Sequence, residues 1–83
     1  MQIIILKSAY KHGITYESII SCLARKHIEY MLNEDPLKKI YVGFDNNANP
    51  LEIIAIIEDN IIKVIHAMKI RKQYECLLEE LNA

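Results

Sequence analysis

The chain contains no tryptophan, one phenylalanine (Phe44), two glycines, two prolines and two cysteines. Each scarcity removes a class of protein. Two glycines cannot build the glycine-rich loops that cradle nucleotide phosphates, and 83 residues leave no room for a dinucleotide fold. Neither Cys22 nor Cys76 sits in a Cys-x-x-Cys pair. Both fall on helix-like stretches and read as buried thiols of a reducing, cytoplasmic setting rather than as a disulfide. No segment approaches the ~20 apolar residues of a membrane span. Residues 2–6 are too short for a signal-peptide core, so a soluble protein is expected. The histidines and cysteines (His12, His27, His66, Cys22, Cys76) show no metal-ligand spacing, and neither metal nor cofactor is expected.

What is present is aliphatic surface and charge in ordinary proportion. A hydrophobic fraction of 52% beside a charged fraction of 25% belongs to a folded globular chain, not a disordered one. A single domain, 1–83, is expected, with a core mainly of isoleucine and leucine. Small cores often gain stability by pairing with a second copy, so a homodimer is one expected assembly. The net charge of -1 argues against a strongly basic nucleic-acid binder, but its distribution is uneven. Four Lys/Arg face one acid up to His27, two face seven from Ile28 to Asn60, and four face three beyond. Basic ends flank an acidic middle, and a local basic cluster still holds phosphates.

Periodicity divides the chain into short elements. Residues 2–6 fit either a strand or the first turns of a helix. Residues 7–12 favour a helix, with Gly13 as its left-handed cap. Thr15 is a good N-cap for a second helix, which carries Glu17 in its first turn and the stripe Tyr16, Ile19, Ile20 and Leu23. Strands are expected at 28–32, 39–44, 51–57 and 61–67, separated by a turn at 33–36, a loop at 45–50 and the tight pair Asp59–Asn60. Residues 51–57 read as apolar on both faces, as in a covered central strand. From Ile70 the period becomes helical through Tyr74, Leu77, Leu78 and Leu81. Short connections favour an antiparallel meander. The expected fold is therefore α+β: two N-terminal helices, an antiparallel sheet of about four strands and a C-terminal helix.

The switch of period makes a cationic junction. From Ile61 to Tyr74 there is no acid, while Lys63, His66, Lys69, Arg71 and Lys72 gather there. By plain alternation His66 shares the strand face of Ile62 and Val64. A histidine there serves as a general acid or base, or more commonly as a hydrogen-bonding strand end. Lys69, Arg71 and Lys72, opening the last helix, oppose its dipole at ~0.3–1 kcal/mol each when exposed. A bound anion would relieve this, as would ion pairs with Glu75. Lys11 and His12 form a second basic tip. Five tyrosines offer base-stacking surfaces but are more often core residues with a polar end.

Two stretches carry a resemblance. SAYKHGITYESI resembles the KHG-hydrophobic-x-x-E segment of BrnT-like toxins of bacterial toxin–antitoxin pairs, and VIHAMKIRKQY resembles their strand-to-helix segment. More closely, KHGI, YVGFDNNANPLEIIAI and VIHAMKIR, in that order, look like a group of small bacterial proteins placed with toxins of that type, the residues involved being Lys11, His12, Gly13, Glu17, Gly43, Leu51, Glu52, His66, Ala67, Met68 and Arg71. Met68 and Tyr74 stand where that family carries an arginine and a glutamate. The resemblance implies a RelE/ParE-like fold, metal-independent endoribonuclease activity on messenger RNA, and a cognate antitoxin. On it, His66, Lys69 and Arg71 are the catalytic candidates, and Lys11, His12, Lys63 and Lys72 the RNA-binding ones. The rival expectation is a non-catalytic module of the same fold, probing protein or nucleic acid with the same junction.

Overall fold

The computed structural model describes residues 2–79. Strand β1 (Gln2–Ile5) leads through a 3-10 turn (Lys7–Tyr10) to helix α1 (Tyr16–Ala24). Four strands follow, β2 (Ile28–Glu34), β3 (Leu37–Phe44), β4 (Pro50–Glu58) and β5 (Ile61–Lys69). A second 3-10 turn (Lys72–Tyr74) then runs into the short helix α2 (Glu75–Glu79). The strand order is β1-β5-β4-β3-β2. Strands β2 to β5 form the antiparallel meander, whereas β1 adds to β5 in parallel.

This overturns the expectation of two N-terminal helices on a four-stranded antiparallel sheet, and with it the implied RelE/ParE-like architecture. The sheet has five strands and is mixed. The run 2–5 is strand because it pairs in parallel with β5, where Ile5 meets Val64 and packs against the core beneath α1. What read as the first helix is only a four-residue 3-10 turn. The last helix also starts later than expected: Lys69 still belongs to β5, Ile70 donates to Pro50 O at 3.1 Å, and α2 begins at Glu75. Leu81 lies outside the described residues.

Local chemistry explains the remaining elements. Thr15 Oγ1 caps α1 by accepting from the Ser18 backbone N–H at 3.2 Å. Asp59 and Asn60, at φ 50° and 64°, form a two-residue turn with both central residues left-handed, which matches the twist of β4 and β5. The loop after β3 is held by Asp45, whose carboxylate accepts from the Asn47 and Asn49 backbone N–H groups. One face of the sheet packs on α1, where Ile19, Cys22 and Leu23 meet Tyr41, Leu51, Ile53, Ala55, Val64 and Ala67. Gly43 lets α1 come close, since a Cβ there would stand 3.1 Å from the Cys22 carbonyl oxygen and sulfur. Tyr16 is 55% exposed and leaves the stripe, while Cys22 joins it. Burial pushes the Cys22 thiol up to about 12, and Cys76 is exposed rather than buried. Beyond the end of α1 this face opens into a groove of about 280 Å³ edged by Ile3, Ile20, Ile57 and Ile62. Among the described residues no helix is long and apolar enough to cross a membrane.

Candidate functional site

The site begins with an irregularity in β5. Ile54 faces His66 and Ala55 faces Val64, so Ile65 is an unpaired extra residue. Such a bulge resets the alternation of side chains across a sheet. Before it, Ile62 and Val64 point to the α1 face, and after it Ala67 takes that face. His66 therefore lies on the opposite face from Ile62 and Val64, which corrects the placement read from alternation. The bulge also makes a socket. Ser8 Oγ donates to the Ile65 carbonyl at 2.9 Å, and the Leu6 N–H donates to Val64 O at 2.9 Å. These bonds pin the first 3-10 turn beside the middle of β5. The chain then turns at Tyr10, whose carbonyl accepts from the Gly13 N–H, with Gly13 at φ 78° as expected of a left-handed glycine. The result brings His12 onto His66, ring centroids 5.4 Å apart and 71° between planes.

Behind His66 stands Glu52. It points to the same face, lies directly opposite Met68 and diagonal to His66, and is fully buried. Its Oε2 is 2.9 Å from His66 Nε2, accepts from Arg71 Nε at 2.9 Å, and is 2.7 Å from the second guanidinium nitrogen. Its Oε1 accepts from the Arg71 backbone N–H at 2.6 Å. Burial pushes this carboxyl up, but the Arg71 side-chain and backbone hydrogen bonds and the bond to His66 outweigh it, holding Glu52 below the ordinary carboxylate value. Among the described residues no buried side-chain polar atom lacks a partner. Glu52 was legible only as a member of the resemblance, and its role was not anticipated. One signal was available: a lone acid inside the run Leu51 to Ile57, which cannot be buried unpaired.

The other candidates separate. Lys63 shares the His66 face one step along β5, with its ammonium 3.7 Å from Glu58. Lys11 is exposed beside His12. Lys69 pairs across from Leu51 and so points to the α1 face, away from His66, where it helps hold Asp45 ionised behind the stronger hydrogen bonds from Asn49. Lys72 is exposed in the second 3-10 turn. Arg71 does not pair with Glu75: its guanidinium is on Glu52 and lies 5.3 Å from the Tyr74 ring centre. Lys69, Arg71 and Lys72 thus do not open a helix, and no dipole penalty arises at Glu75. Among the described residues no group of three or more His, Cys, Asp or Glu is placed to hold a metal ion. No family model matches the chain, and no curated protein or solved structure matches it.

Proposed function

We propose that the chain is the toxin of a toxin–antitoxin pair and cuts RNA without a metal ion, at the tip where His12 meets His66. The observation that carries this reading is the contact of two imidazoles at 5.4 Å, one of them anchored to a buried carboxylate. The KHG and VIHAM segments, far apart in the chain, are the two stretches that resemble BrnT-like toxins, and they meet at this point. Metal-free cleavage needs one group to take the ribose 2′-OH proton and another to protonate the departing 5′ oxygen. The 2′ oxygen bonds to phosphorus as the P–O5′ bond breaks, leaving a 2′,3′-cyclic phosphate and a 5′-hydroxyl. Imidazole suits both tasks near neutral pH. The two rings meet edge to face, and with His12 exposed the phosphate reaches them from solvent. Lys63 and Lys11 supply fixed positive charge for the phosphate oxygens. Lys69 and Arg71 leave the catalytic set, one by its face and the other by its commitment to Glu52. A cognate antitoxin would act by covering this tip.

The test is cleavage of a labelled RNA in excess chelator. Fragments ending in 2′,3′-cyclic phosphate are expected, with the rate lost about 100-fold or more in His66→Ala. Cleavage that requires a divalent ion, or that survives in His66→Ala, overturns the reading. One observation favours a binding module instead: both arginines are occupied, Arg25 by Ser21 and Asn46 and Arg71 by Glu52. On that reading RNA is retained by the intact protein, released by Lys63→Ala, and recovered uncut.

A further inference from the structure

The acid–base reading leaves open which histidine takes the proton. We infer that Glu52, held by Arg71, fixes His66 with its Nε2–H toward the carboxylate, making Nδ1 the base that receives the 2′-hydroxyl proton and leaving His12 as the acid. The inference rests on the proposed ribonuclease reading for its chemical consequence, but the placement of the proton on His66 stands by itself.

A guanidinium and a backbone N–H only donate, so the three Arg71 contacts require Glu52 to accept at both oxygens. An ionised carboxylate has no proton to offer, and the net of burial and hydrogen bonding favours the ionised form of Glu52. The contact of 2.9 Å with His66 Nε2 is therefore donated by the imidazole. A neutral imidazole has one N–H, so the lone pair falls on Nδ1. Among the described residues Nδ1 has no hydrogen-bond partner. Arg71 matters to this arrangement in a second way. Glu52 and Arg71 together carry no net charge, so the pair orients the ring without placing an uncompensated anion behind it. Arg71 is a positioning residue here, acting through Glu52, and the bulge at Ile65 is what turns His66 onto the pair. His12 is unlike His66 in each respect. It is exposed, it follows a 3-10 turn, and no described residue anchors its ring by a hydrogen bond.

Two measurements decide it. Nitrogen-15 spectra of labelled histidine in the intact protein, at a pH where His66 is neutral, are expected to show a single tautomer with the proton on Nε2. A proton on Nδ1, or an even mixture, overturns the inference whether or not RNA is cut. Glu52→Gln, if it folds, is expected to mix the tautomers, because an amide can accept or donate; an unchanged single tautomer in that variant also overturns it. The second measurement uses uridine 3′-(4-nitrophenyl phosphate), whose nitrophenolate departs without needing a proton. His66→Ala is expected to lose about 100-fold or more on this ester and on RNA alike, whereas His12→Ala loses that much on RNA and little on the ester. The reverse pattern overturns the assignment of base and acid. Absence of any RNA cleavage by the intact protein, with His66 still protonated on Nε2, sinks the ribonuclease reading and upholds the placement.

Discussion

Glu52 and Ile53 are neighbours in β4, equally buried at 0% exposure, and they face opposite sides of the sheet. Their sides are held by different physics. Under α1 the inward residues are apolar or small, and stability there follows the area removed from water and the quality of packing. On the other side Ile40 and Val42 adjoin a carboxylate that loses hydration on burial and is repaid only by Arg71 and His66. The α1 face tolerates a change in proportion to the volume it removes. The Glu52 face tolerates whole replacement of its ion pair better than loss of one member.

The largest expected effect is on the apolar side: Ile53→Ala should cost about 4 kcal/mol, read from the shift of the urea midpoint. Arg71→Ala, although it trims a side chain 38% exposed, should cost about 3 kcal/mol because it strands a buried carboxylate. Adding Glu52→Leu to that variant should recover much of the loss; no recovery would mean that Arg71 stabilises by packing over Tyr74 instead. The two faces also differ in their response to pH. The folded carboxyl of Glu52 lies below its ordinary value of 4.5, so its contribution is complete above 4.5 and is lost as pH falls through the folded value. Arg71→Ala lacks that contribution, and the stability gap between the two proteins should narrow on acidification. A gap that stays constant through the acid range would break the account. Gly43→Ala should cost about 2 kcal/mol through overpacking against Cys22 and Lys26. Thr15→Ala, which removes only a cap, should cost about 1 kcal/mol.

Features set by adjacent residues were legible before the structure. Thr15, Gly13 and Asp59–Asn60 act within a few positions of themselves, and each takes the conformation expected of it. The meander from β2 to β5 was readable for the same reason, since each strand pairs with the next. Two kinds of feature were not. The pairing of β1 depends on a strand far along the chain, and a glutamine with three isoleucines carries no mark of its partner. The bulge at Ile65 has no glycine or proline to announce it. Counting by twos through Val64 therefore carried His66 to the wrong face, while the helical spacing from Ile70 placed Lys69, Arg71 and Lys72 at the opening of a helix that starts only at Glu75. The meeting of His12 with His66 follows from that same bulge through Ser8, a residue with no visible role until the Ile65 carbonyl is found beside it.

The parallel pairing of β1 with β5 also sets the order in which the molecule can be assembled. Gln2 meets Ile61 across 59 positions of chain (61 − 2), whereas the hairpins close over two residues at Asp35–Pro36 and Asp59–Asn60. Contacts between distant parts of a chain form slowly, because a long loop must close before they repay its entropy. During synthesis the hairpin of β2 with β3 and then β4 have partners at once, while β1 waits for residues 61–69 to emerge. The histidine pair joins the segment after β1 to the middle of β5. It is therefore assembled late, and a chain still short of β5 carries His12 with nothing for it to meet.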